Sequence, residues 1–134
     1  MPLRLLVTMV SAVIVGFVGT VAHRMGVPYN LPYGLVLSLL LVGISAWSAR
    51  ARSGSIGLGF HLIASGAVVW MITQAATTTR ALVIFGYTTD AYSFWMQKTG
   101  IIWLLGMVAV QVILVMLPER LFRVPPRIEQ LTKR

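Results

Sequence analysis

His23 and Arg24 stand side by side in VAHRMGVPYNLPYG, residues 21–34, where a neighbouring imidazole and guanidinium would bind an anion or pass a proton. His61 lies within an apolar run, and so does Gln111 in a later one. Ionisable residues inside a membrane are costly and often functional, whereas a neutral histidine is also a good packed hydrogen-bonding residue. Of the three acids, Asp90 falls in a polar connection among Tyr87, Thr88, Thr89, Tyr92 and Ser93, and Glu119 and Glu129 fall near the C-terminus. Asp90 would contact a polar ligand or, more simply, cap a helix. The plainer reading of His23 and Arg24 is likewise structural, since polar residues at the mouth of a span need no function to be tolerated.

The absences narrow the chemistry further. With no cysteine, the 134 residues hold no disulfide, thiolate metal site, iron–sulfur cluster or thiol relay, so quinone-coupled thiol oxidases are excluded. The two histidines are the only ones, and at about 1.5 Å per residue they lie at opposite depths of their runs, which argues against one haem between them. No apolar run carries an acid, the group on which proton- or cation-coupled transport usually turns. Small multidrug exporters have a similar size and helix count but place a glutamate in their first helix, and this first run has none. Neither a nucleophile beside a base nor a metal constellation is visible, and the expectation is a non-enzymatic protein with no cofactor and no metal.

Composition identifies what must position these residues. Apolar residues make up 57% of the chain and charged ones 10%, with a mean hydropathy of +0.85. These values lie outside the range of soluble domains. The apolar residues fall in blocks long enough for spans of about 20 residues each. The expected fold is all-α, a polytopic four-transmembrane-helix bundle forming one integral membrane domain over residues 1–134. Its spans are approximately 5–22, 31–47, 56–76 and 101–117, with a basic tail at 118–134. Thr20 and Ala22 would suit a signal-peptidase site, but the first run exceeds a usual signal core, so an uncleaved helix is expected. Pro28 and Pro32 sit at the start of the second run, and SARARSGS, residues 48–55, makes a polar hairpin before the third. The fourth run would begin as early as Ala91 if Asp90 were its N-cap.

Basic residues orient the threading. With the N-terminus inside, the inner segments hold Arg4, Arg50, Arg52, Arg120, Arg123, Arg127, Lys133 and Arg134, against Arg24, Arg80 and Lys98 outside. That excess predicts a plasma-membrane protein with both termini cytoplasmic. The aromatic residues agree, since Tyr29, Tyr33, Trp70, Tyr87, Tyr92, Trp95 and Trp103 fall near the expected outer boundary and Trp47 near the inner one. The net charge of +8 therefore serves topology and headgroups, and no nucleic acid is expected. Arg120, Arg123, Arg127, Lys133 and Arg134 are the expected contacts to anionic headgroups at the inner face.

Within the bundle, small residues should mediate packing: Ala12, Gly16 and Gly19 on the first span, Ser38 and Gly43 on the second, Gly57, Ala64 and Ser65 on the third, Gly106 and Ala109 on the fourth. His61 and Gln111 each lie about six residues from the inner end of consecutive antiparallel spans, hence at one depth of roughly 9 Å. They form the expected buried polar pair, with Gly57 and Ser65 on the same face.

The short first outer turn HRMGVPYNLP, the arginine-bearing hairpin SARARSGS and the longer second outer connection TTTRALVIFGYTTDAY together make the chain resemble small four-helix integral membrane proteins of actinobacteria. That resemblance covers the whole chain, rests on layout rather than on a diagnostic motif, and implies no activity. The expected function is an accessory or scaffold subunit that packs against a membrane-protein partner or against copies of itself. The alternative is a small oligomeric transporter or channel with a pore lined by Ser, Thr, Gln and His.

Overall fold

In the computed structural model, which describes residues 2–75 and 90–123, the chain is all-helical. Helix α1 covers Pro2–Ala22, a short 3-10 turn covers Val27–Tyr29, α2 covers Tyr33–Ala75 and α3 covers Phe94–Met116. A second 3-10 turn, Glu119–Phe122, closes the described part. All three α-helices are long and apolar enough to cross a membrane.

Three boundaries differ from the sequence expectation. Four spans are expected, whereas 33–75 forms one element of 43 residues with only Ser53 (φ −139°, ψ 16°) and Gly54 (φ 64°, ψ −155°) outside helical geometry. The pair at Gly54 is open essentially to glycine alone. It turns the chain back sharply: Ser45 and His61, 16 positions apart within α2, meet through their side chains at 2.9 Å. On a straight helix, residues so spaced would be separated by about 24 Å. The polar residues 48–52 thus continue the helix instead of ending it at Trp47, with Ser48 donating to the Ile44 carbonyl at 2.9 Å and Arg50 to the Leu117 carbonyl at 2.7 Å from within it. Lastly, α3 starts at Phe94. Ser93 caps it by accepting from the Met96 amide at 3.4 Å, while Asp90 lies exposed in a turn before it, so the role proposed for Asp90 as N-cap belongs to Ser93.

Small residues set the packing. A Cβ on Gly16 would lie 3.1 Å from the Ser65 carbonyl oxygen, so α1 and the second arm of α2 touch backbone to backbone. Gly19 leaves room for the Trp103 ring, and its carbonyl accepts from Ser38 Oγ at 3.2 Å. Gly106 faces Leu39. Val15, Leu35, Val42, Val69, Trp103 and Met107 form the main buried cluster, and Ala46, Leu58, Leu114 and Phe122 form a second one toward the Ser53–Gly54 turn. Many other large apolar side chains point outward from every helix, among them Phe17 on α1, Ile44 and Ile63 on α2 and Leu105 on α3.

Candidate functional site

Around His61 the helices place four polar side chains in contact. His61 and Gln111 are both fully buried, and His61 Nδ1 lies 2.9 Å from Gln111 Oε1. Gln111 Nε2 reaches Ser65 Oγ at 3.3 Å and the Met107 carbonyl at 3.4 Å, and a carbonyl only accepts, so Nε2 is the donor end of the amide. Oε1 therefore accepts from His61 Nδ1–H. In the neutral ring this leaves Nε2 as an acceptor, filled by the Ser45 hydroxyl at 2.9 Å. Ser65 in turn donates to the Leu62 carbonyl at 3.3 Å. Donors and acceptors follow one another without a break from Ser45 to Leu62, joining both arms of α2 to α3.

Chemically, the order hydroxyl, imidazole, orienting oxygen is the one that activates a serine nucleophile. Here the orienting group is a neutral amide, which fixes the ring but cannot offset the charge of an imidazolium as a carboxylate does. Ser45 also sits inside a helix, where backbone amides are committed to the preceding turn and none is spare to hold an oxyanion. The arrangement serves best as a hydrogen-bond clamp. Counting from the turn would have found Ser45: it lies eight residues before Ser53, and His61 lies seven after Gly54, so the two are level. Gly57, expected beside His61 against α3, instead faces the Ala49 carbonyl and Ser53 within the α2 turn.

The residues expected at the outer face are arranged differently from the expectation. His23 is fully buried instead of standing at the mouth of a span: its Nδ1 is 2.6 Å from the Thr20 carbonyl and its ring stacks on Trp103 at 5.8 Å and 14°. Trp103, expected at an interface, belongs to the core. His23 Nε2 and Trp103 Nε1 find no hydrogen-bond partner among the described residues. The turn after His23 is held by backbone bonds, with Gly26 and Asn30 both left-handed, and leaves Tyr29 and Tyr33 exposed. Arg24 is half-buried and Asp90 is exposed, and the side-chain partners of His61 among the described residues are Ser45 and Gln111.

At the opposite end, Arg50 is buried and its Nη2 donates to the Leu117 carbonyl at 2.7 Å. Its guanidinium lies 4.3 Å from the centre of the Phe122 ring, and Phe122 also packs on Trp47 at 4.4 Å. Composition alone gives Arg50 a topological role; its place in tying the end of α3 to the α2 turn emerges only from the fold. Arg120 and Arg123 are exposed beside it, whereas Arg127, Lys133 and Arg134 lie outside the described residues. No group of three or more His, Cys, Asp or Glu that would hold a metal ion occurs among the described residues. No protein-family model, curated protein or solved structure matches this chain.

Proposed function

We propose that this protein is a non-catalytic, four-span component of the plasma membrane, an accessory or scaffold subunit with both termini cytoplasmic. The two arms of α2, 33–52 and 55–75, count as separate spans because the chain reverses at Ser53 and Gly54. The observation that carries the functional reading is the closed chain Ser45–His61–Gln111–Ser65. Its polar groups use most of their hydrogen bonds on one another, and none of α1, α2 and α3 contributes a carboxylate to couple a proton or cation. Large apolar side chains point outward from all three α-helices, as a lipid or protein neighbour in the membrane requires.

Two measurements test this. Since the chain has no cysteine, Ser53→Cys and Thr88→Cys report topology cleanly. Thr88→Cys should react with an impermeant maleimide from outside and Ser53→Cys should not; the opposite pattern inverts the orientation. Purification from native membranes in mild detergent should then yield a stoichiometric heteromeric complex. A homo-oligomer that conducts in liposomes would replace the scaffold with a channel.

A further inference from the structure

An apolar groove of about 560 Å³ runs between the first arm of α2 and α3, lined by Leu39, Leu40, Gly43, Trp47, Val110 and Leu114 among others. Gly43 lies in its wall opposite Val110: a Cβ there would meet Val110 Cγ1 at 3.4 Å, an ordinary van der Waals contact. One end of the groove is built by Trp47 and Leu114. Immediately past that end the character changes from apolar to cationic. Trp47 packs on Phe122, Phe122 lies under the Arg50 guanidinium, and Arg120 and Arg123 flank Phe122 in sequence. Arg50 is 5% exposed, yet its Nη1 has no hydrogen-bond partner among the described residues, and Arg52 Nε and Nη2 are likewise enclosed without one. The positive charge of these enclosed guanidiniums is therefore only partly offset by acceptors among the described residues, and it adds to that of the exposed Arg120 and Arg123.

We propose that the groove and this basic end together form the seat of one anionic phospholipid of the inner leaflet. An acyl chain lies in the groove along Leu40 and Gly43, and the phosphate takes hydrogen bonds from the exposed Arg120 and Arg123, with the enclosed Arg50 and Arg52 guanidiniums adding positive charge at the same end of the molecule. The complementarity runs in both parts: an apolar slot for the chain and a cluster of guanidiniums for the phosphate, at the end that the orientation above places at the cytoplasmic surface. A planar guanidinium suits a phosphate better than an ammonium does, and all four basic residues here are arginine. A partner helix or a second copy would fill the slot but leave the guanidiniums without their anion. The inference rests on the membrane reading and orientation of the preceding section.

Trp47 supplies the probe. In a Trp70→Phe/Trp95→Phe variant, only Trp47 and the fully buried Trp103 remain to fluoresce. This protein is reconstituted into phosphatidylcholine vesicles containing small fractions of phosphatidylglycerol or of phosphatidylcholine brominated near the carboxyl end of the acyl chain. Brominated phosphatidylglycerol should quench Trp47 at an apparent mole fraction at least about fivefold lower than brominated phosphatidylcholine, the factor equivalent to about 1 kcal/mol for a single basic residue. Arg52→Gln/Arg120→Gln/Arg123→Gln should erase the preference, and Gly43→Leu, which fills the slot without touching an arginine, should weaken quenching by both lipids. Equal quenching by the two lipids in the parent overturns the seat and leaves the membrane reading intact. Absence of quenching by either overturns both. Quenching abolished together with a dimer mass in native mass spectrometry gives the groove to a second copy.

Discussion

Two fully buried histidines of this protein have opposite surroundings. His61 sits at a crossing of three helical segments and has both ring nitrogens occupied, by Gln111 from α3 and Ser45 from the other arm of α2. The His23 ring follows the end of α1, bonds through Nδ1 to the Thr20 carbonyl three residues back, and rests on Trp103, with Nε2 lacking a partner among the described residues. The difference lies in who supplies the partner. Where polar residues from separate helices share one level, a histidine joins tertiary structure through directional bonds. Where the nearest groups are the histidine's own preceding turn and an aromatic ring, it is held by packing. The first kind of site specifies which helices meet, while the second only seals a turn.

The comparison is broken most severely at His61. In His61→Leu, the Ser45 hydroxyl and Gln111 Oε1 both lose a partner, and a buried orphan costs about 1–3 kcal/mol. Unfolding of the detergent-solubilised protein should therefore show a loss in the upper part of that range, with Gln111→Leu somewhat milder. Should His61→Leu cost nothing measurable, the chain of hydrogen bonds would have no structural weight.

Non-additivity is the next effect in size. Membrane double-mutant cycles give about 0.6 kcal/mol per hydrogen bond on average and at most about 1.7, because residues in the unfolded state within a membrane also find partners. A coupling between His61→Leu and Gln111→Leu near the upper value is expected here, since each residue also anchors a further member, Ser45 or Ser65. Additive effects would mean that the two side chains act independently despite their 2.9 Å approach.

Depth was the readable part of this arrangement. His61 and Gln111 can be set at one level by counting residues from the ends of their apolar runs, and their atoms meet in the fold. The same count extends to Ser45 only once the turn is located at Ser53 and Gly54. Residues 48–55 look like a loop by composition, yet helix continues through Arg52, because Arg50 gains the Leu117 carbonyl and the Phe122 ring from elements distant in sequence. Trp103 misleads for a related reason: tryptophan near a span end signals an interface, but Gly19 on α1 opens a space that draws the ring inward. Asp90 and Ser93 are both acceptable caps by residue type, and only the backbone geometry at Ser93 decides between them. Contacts along one helix or at a common depth are legible in sequence; close approaches between helices made by a glycine are not.

The smallest expected effect belongs to His23 and divides its packing from its hydrogen bond. His23→Phe keeps a planar ring against Trp103, gives up the bond to the Thr20 carbonyl, and removes the unpartnered Nε2. A net hydrogen bond contributes about 0.5–1.5 kcal/mol, and relief of a buried orphan acts in the opposite direction, so the change in stability should stay within about 1 kcal/mol. His23→Leu keeps apolar volume but loses the stack, and aromatic pairs add about 0.5–1.5 kcal/mol beyond the area they bury. The leucine variant should therefore be the less stable of the two, the reverse of what a role for the imidazole nitrogens requires. If His23→Phe proved as damaging as His61→Leu, Nε2 would have a partner after all, for which a water shared with the Trp103 indole N–H has the right donor and acceptor chemistry. The contrast between the two histidines would then reduce to one between a protein partner and a solvent one.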